Sequence, residues 1–351
     1  MKISALAPVP PAAPKPAAAR WTTAARTRTL AVLAAVVVVG VVLSVGVGSA
    51  RSTPADLWHA FASYSGTVMD LTIRGIRVPR TITALAVGAA LGVAGTLVQG
   101  HTRNPIAEPG LLGVNHGAAL AIVATTAAVG PLAFPAQASL AFAGALVASL
   151  IVFGIGSVDR RGGSPTTLVL VGAAVTSMCL GLVSAIVLLS EAALETLRFW
   201  QVGSVAGRSG ALELLWPVLV VGGLLAWLNA TQLNALALGE AAATGLGVTT
   251  ARARGVGLAA LVLLAGAAVT IAGPIAFVGL LVPHVARWAI GADYRWLVPA
   301  SALIGSAIVL LSDTLGRIIA RPGELPVGVV VALVGAPVFV YIARRKRVVS
   351  A

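Results

Sequence analysis

Side chains able to do chemistry are few in this chain of 351 residues, and their spacing argues against catalysis. The four histidines, His59, His101, His116 and His284, lie far apart, with no H-E-x-x-H run or Cys/His cluster to gather ligands for a metal. The single cysteine, Cys179, falls in an apolar run, where one thiol makes no internal disulfide and reads as an inert buried side chain. The only lysines are Lys2, Lys15 and Lys346, none within a G-x-x-x-x-G-K-[ST] loop, so the chain has no phosphate-cradling ATP site of its own. No catalytic residue, metal or cofactor is expected, the chain is read as a non-enzyme, and any ATP energy must come from a partner.

The remaining polar residues gather in four places. RNPIAEPGLLGVNHG, residues 103–117, sets a cation, a carboxylate, two amides, two prolines and a histidine between long apolar runs. Helix breakers at membrane depth persist only where other protein or a water-filled cavity satisfies the freed backbone groups, so this stretch must face one or the other. A second segment, 50–80, ends in RGIRVPR, with Arg77 and Arg80 flanking a proline. Snorkelling at a helix end competes there with docking of an acidic partner through charge-assisted pairs at a water-exposed rim. In the third, LNALALGEAAATGLGVTTARAR (233–254), Leu233, Leu236, Leu238, Ala242 and Leu246 recur at near-helical spacing beside a lone carboxylate, Glu240. That suits either a plain connector or a short amphipathic helix lying in a groove of another protein. The fourth, SDTLGRIIARPGELPVG (312–328), places Asp313 and Arg317 four apart, where they can pair on one helix face.

Composition dictates what positions these residues. At 58% hydrophobic and 10% charged, against about 25% charged in a soluble domain, with a mean hydropathy of +0.98, the chain belongs in a bilayer. Apolar runs of about 20 residues, each long enough to cross as a helix, predict helices at 29–49, 81–100, 110–129, 137–156, 167–190, 211–230, 253–273, 276–290, 297–319 and 326–343. Alternating barrel strands are absent, so the expected fold is all-α and polytopic with about ten transmembrane helices. Residues 1–27 read as a disordered basic Ala/Pro-rich cytoplasmic tail and 28–347 as the membrane domain. A cleaved signal peptide ending near Gly48 or Ala50 is the rival reading, but the run from Leu30 to Gly48 exceeds a signal core, which favours a retained helix.

The formal charge of +13 is scattered among helix ends and not gathered on one face, so nucleic acid is not an expected partner. Ten spans put both termini on one side, and that side holds sixteen of the 24 Lys and Arg residues, which predicts cytoplasmic termini. An internal echo, GAALGVAG at 88–95 and GAAVTIAG at 266–273, each followed by GLL, is separated by five spans. An odd spacing inverts the second copy, so two five-helix halves in inverted repeat are expected.

IRVPR (76–80), TRNPIAEPGLLGVNHGA (102–118), LNALALGEAAATGLG (233–247), GPIAFVGLLVPHVAR (273–287) and ELPVGVVVALVGAPVFV (324–340), in this order and spacing, resemble the permease subunits of bacterial ABC importers for iron-siderophores, haem and cobalamin, the FecCD type. The resemblance covers nearly everything from the first helix to Val340. It implies a multi-pass protein of the bacterial cytoplasmic membrane and a dimer of permease subunits, identical or paralogous, with a translocation path at their interface. Its implied partners are two cytoplasmic ATP-binding subunits, an extracytoplasmic substrate-binding protein and the lipid bilayer. By the same resemblance Arg77, Arg80 and Arg317 meet glutamates of the binding protein. Leu236, Leu238, Gly239, Glu240, Ala242, Leu246 and Gly247 form the ATPase-coupling segment, and Gln99, Asn104, Pro105, Asn115 and His116 line the path. Residues 103–117 would be non-helical backbone facing that path, with 273–279 as counterpart. Ferric siderophore is the expected cargo and cobalamin or haem the alternative. From a different class, an ion-coupled secondary transporter would want intramembrane acids, and Asp313 is the only carboxylate expected well inside a span.

Overall fold

The computed structural model describes residues 21–157 and 165–344. Among them every regular element is a helix. The chain runs α1 (Thr23–Gly46), α2 (Pro54–Ala62), α3 (Val68–Thr72), a π turn (Ile73–Arg77), α4 (Val78–Thr102), a 3-10 turn (Pro109–Leu112), α5 (Val114–Val129), α6 (Phe134–Ser157) and α7 (Pro165–Leu189). It continues through α8 (Glu191–Gln201), α9 (Ser209–Ala237), α10 (Glu240–Gly245), α11 (Thr250–Ala272), α12 (Val278–Ile290), α13 (Tyr294–Ile319) and α14 (Val327–Arg344). Among the described residues seven segments are long and apolar enough to cross a membrane: α1, the continuous 68–102 segment, α6, α7, α9, α11 and α13. α5, α12 and α14 are shorter apolar helices.

Several local signals set these boundaries. Thr22 caps α1 by accepting a hydrogen bond from Ala25 N–H, so helix starts at Thr23, inside the stretch expected to be tail. The rest of that expected tail, residues 1–20, lies outside the described residues. α8 was not expected from the sequence: Ser190 caps it, Glu191 and Arg198 sit at the ends that complement the helix dipole, and Ala193, Leu197 and Trp200 form its buried stripe. The π turn belongs to Pro79. A proline in the first turn cannot donate to the preceding turn, and Val78 N–H reaches back five residues to Ile73 O. The widened turn brings both Arg77 and Arg80 inward.

α4 and α11 form the centre. In their most apolar stretches 78% and 72% of residues are buried, against 17–33% in α1, α6, α7 and α9, which places the latter on the periphery. Helix association within lipid depends on close backbone approach, and α4 achieves it with glycines. A Cβ at Gly88 would lie 2.4 Å from Gly305 O, one at Gly92 2.4 Å from Ser301 O, and one at Gly95 2.0 Å from Gly279 O. The pairings 88/305 and 92/301 run antiparallel, so α4 lies backbone to backbone along α13, while Gly95 takes α12. Gly117 of α5 and Gly144 of α6 cross in the same reciprocal way, each Cβ position 2.4 Å from the other's carbonyl. The echoed stretch in α11 works differently: Gly266 faces the Phe142 ring and Gly273 ends the helix at φ +75°.

Gly95→Ala is expected to lower unfolding stability by roughly 3 kcal/mol, the upper end for overpacking, because the obstacle is a backbone carbonyl that has nowhere to move. Gly223→Ala on α9, where a Cβ meets open space, is expected to be neutral or to stabilise by up to about 1 kcal/mol. Thermal unfolding of the two variants in detergent compares them directly.

Candidate functional site

Two breaks in the helical ladder meet inside the bundle. α4 ends at Arg103, which takes the left-handed conformation (φ 50°), and the chain stays non-helical to Glu108 before the 3-10 turn. The second break, residues 273–277, ends at Phe277, also left-handed (φ 68°). The Glu108 carboxylate accepts from Phe277 N–H at 3.2 Å, at the N-terminus of α12, where a negative charge is favoured. His284 bonds the Pro105 carbonyl at 2.8 Å. Gln99, fully buried, donates to Leu280 O at 3.2 Å and accepts from Arg287 at 2.8 Å. Pro109 seats against Gly279. Each break therefore supplies partners for the other.

Beside this junction opens a cavity of about 470 Å3, lined by Glu108, Asn115, His116, Thr176, Gln201 and Pro274 among others. His116 Nδ1 and Thr176 Oγ1 are buried there without a hydrogen-bond partner. Of the expected path residues, the cavity gathers Asn115 and His116 only. Both sit in the first turn of α5, because helix resumes at Val114 where non-helical backbone was expected. Gln99 is locked in the core. Asn104 caps the turn by accepting from Ile106 N–H, and Pro105 faces His284. Glu108, which joins the breaks, was not singled out from sequence. Its proline-flanked position in IAEP was the available signal.

Call the end of the bundle where α1 starts the near end and the other the far end. At the far end Arg77, Arg80 and Arg317 stand at only 3%, 6% and 2% exposure, so the expected water-exposed rim of cations is not what the chain builds. Arg80 grips Asp313 with two nitrogens, Nε at 3.0 Å and Nη2 at 2.8 Å, and reaches Glu324 at 2.5 Å. Arg317 pairs with Asp313 at 3.1 Å, the (i, i+4) contact expected from spacing, and also donates to Ser44 O and Val47 O. Arg77 donates to Val45 O, Gly46 O, Ala50 O and Ser52 Oγ. The unfilled carbonyls at the end of α1 draw these guanidiniums inward, since a fork of donors satisfies several at once. Partial burial raises the Glu324 carboxyl pKa, but the bonds from Arg80 and Ser49 and the charge of Arg317 hold it below the usual carboxylate value.

At the near end, Arg103 donates to Leu236 O in the last turn of α9 at 2.9 Å. The adjacent segment divides the expected amphipathic stripe in two. Leu233 and Leu236 belong to α9 and are buried, whereas Leu238 and Leu246 are 69% and 65% exposed and Ala242 is exposed with them. α10 is a six-residue helix between Gly239 (φ 106°) and Gly247 (φ 81°), and Glu240 at its start pairs with Arg254 of α11. Positive φ at both ends demands glycine, which explains both Leu-Gly punctuations.

Comparison with known proteins places this architecture. The FecCD transport family matches residues 35–345. The ferric enterobactin transport system permease protein FepD of Escherichia coli is 46% identical over 85% of this chain and 89% of its own length. The iron(3+)-hydroxamate import system permease protein FhuB of Bacillus subtilis is 40% identical over 86% of this chain and 79% of its own length. A solved structure described as an inward-facing metal-chelate type ABC transporter superposes with a TM-score of 0.79 at 27% identity, covering 91% of this chain and 99% of that one.

Asp313→Ala strips the shared anion from two buried guanidiniums and is expected to lower stability by about 3–5 kcal/mol. Arg51→Ala, at an exposed position of the same end, is expected to change it by less than about 0.5 kcal/mol. Equal melting temperatures for the two would mean that the far-end arginines are solvated after all.

Proposed function

The chain belongs to the FecCD transport family, and on that premise we propose that it is the permease subunit of an ABC importer for ferric siderophores, with cobalamin or haem as the alternative cargo. The observation that carries the transport reading is the meeting of two helix breaks beside a cavity whose largely apolar wall is interrupted by Glu108, Asn115, His116 and Thr176. Broken helices paired near mid-membrane are how transporters place a substrate route among apolar helices. The unpartnered His116 and Thr176 atoms suit a route that fills with water. α5, α12 and α14 complete ten spans, with α4 and α11 as corresponding members of two inverted halves and both termini in the cytoplasm. Two permease subunits enclose the path between them, driven by two ATP-binding subunits and fed by a substrate-binding protein.

Coupling runs through α10. Leu238, Ala242 and Leu246 present a small apolar face to the near end, suited to a groove in an ATPase subunit, while Leu236 and the Glu240–Arg254 pair anchor it to the permease. For docking at the far end, Arg77, Arg80 and Arg317 act by holding the 47–53 and 320–326 loops in shape. Direct pairing with a binding protein would require their internal bonds to open. The secondary-transporter alternative loses its candidate coupling acid, because Asp313 is held by Arg80 and Arg317.

Two measurements follow. In proteoliposomes, cargo uptake is expected only with ATP, the ATPase subunit and the binding protein together, and Ala242→Arg is expected to uncouple hydrolysis from uptake without loss of binding-protein capture. Uptake driven by an ion gradient alone would overturn the reading. In a Cys179→Ser background, His116→Cys is expected to react with a water-soluble thiol reagent at a rate that changes between nucleotide-free and ATP-trapped states. Gln99→Cys, locked in the core, is expected to stay unlabelled in both.

A further inference from the structure

The helices between α1 and α4 carry an exposed face that the transport reading leaves unused. Trp58 is 74% exposed, Phe61 55%, Tyr64 48%, Val68 83% and Leu71 55%. These are large apolar side chains, and their orientation is fixed by two capping boxes. Thr53 with Asp56 opens α2, and Thr67 with Asp70 opens α3. Asp70, itself buried, also accepts from His59 Nδ1 and Ser65 N–H, which ties the turn between the two helices. The polar groups are thereby spent inside the turn and the aromatic face is left outside.

We propose that this face is a membrane-interface anchor, with Trp58, Phe61 and Tyr64 lying in the lipid headgroup region at the far end of the bundle. Three observations carry it. The first is height: only seven residues separate Gly46 from Pro54, and Leu57 Cδ2 would be 3.4 Å from a Cβ on Gly46, so α2 rests directly on the end of a membrane-length helix. The second is continuity. The exposed stripe of α3 passes Gly75, where a Cβ meets open space, and runs on to Ile82, 51% exposed on the otherwise buried α4. The third is composition: Trp and Tyr favour the boundary between acyl chains and water. The charge on this face is Arg74, whose guanidinium lies 4.7 Å from the Tyr64 ring centroid and 6.0 Å from that of Phe61. A cation stacked on aromatic rings at that level can reach lipid phosphate while its stem stays apolar. The inference needs only that the bundle spans a bilayer, not that it carries any particular cargo.

Spin labels on single cysteines replacing Trp58, Phe61, Tyr64 or Leu71, in Cys179→Ser protein reconstituted in phosphatidylcholine/phosphatidylglycerol nanodiscs, test it. Collision with oxygen is expected to exceed collision with a water-soluble nickel chelate several-fold at these positions, relative to Arg51→Cys at an exposed position of the loop before α2. As a readout on the otherwise unaltered chain, brominated lipid is expected to quench the fluorescence attributable to Trp58, measured as the difference from Trp58→Phe. Nickel accessibility equal to that of Arg51→Cys at all four sites would overturn the proposal. So would protection that appears only when a binding protein or a second permease copy is added, since the face would then be a protein-docking surface.

Discussion

A backbone amide or carbonyl released from a helix inside an apolar medium must find another partner, and this chain releases several in two places. Everything near the cavity follows from how that need is met. Glu108 takes the N–H of Phe277, His284 takes the carbonyl of Pro105, and Gln99, held by Arg287, takes the carbonyl of Leu280. Because the donors of one break answer the acceptors around the other, neither fits without its counterpart. The helices that carry them, α4 and α12, are consequently registered to each other to within a hydrogen bond.

The two ends of the bundle are closed by polar networks of a different kind. At the near end Asp293 collects Arg26 from α1, Asn234 from α9 and its own neighbour Arg295. Partial burial raises its pKa, but the bonds from Asn234 and Arg295 and the charges of Arg295 and Arg26 keep it below the usual carboxylate value. At the far end Asp313 collects Arg80 from α4 and Arg317 from its own helix. Each acid joins a cation of α13 to one from a helix distant in sequence. A node of this sort fixes which helices neighbour one another, a choice that uniform apolar surfaces leave open. The end of α9 just before α10 is held twice, by Asn234 on this node at the near end and by Arg103 on the Leu236 carbonyl, so the first helix break and the exposed α10 segment share a support.

Much of the fold was legible because apolar run length is a strong signal and helix ends carry caps. The elements that escaped are those whose apolar content is a stripe and not a run. α2 and α8 have nine and eleven residues and read as polar loop when averaged over a membrane-length window. For the site, the first break was visible as a Pro/Gly-rich polar stretch, whereas the second, GPIAF at 273–277, carries no polar side chain and was marked only by the family resemblance; Asn115 and His116 line the cavity. The burial of Gln99, Arg77 and Arg317 was not legible. A polar side chain near a helix end looks solvated in sequence, whereas its exposure depends on whether unfilled carbonyls lie within reach. For Arg77 and Arg317 those carbonyls belong to the end of α1, at least 31 positions away, and no local pattern announces them.

The glycine contacts of α4 have a mechanical meaning. Where side chains separate two helices, rotamer changes act as a soft layer and the helices can slide or tilt past each other by small steps. Between α4 and α13, and between Gly95 and Gly279, that layer is missing and main chain rests on main chain. Such a joint has no slack: it either holds or separates. The trio α4, α12 and α13 is therefore joined as one block that contributes no side chain to the cavity wall, and a change in the cavity's shape falls to the walls outside it: the two breaks, α5, α7 and α8.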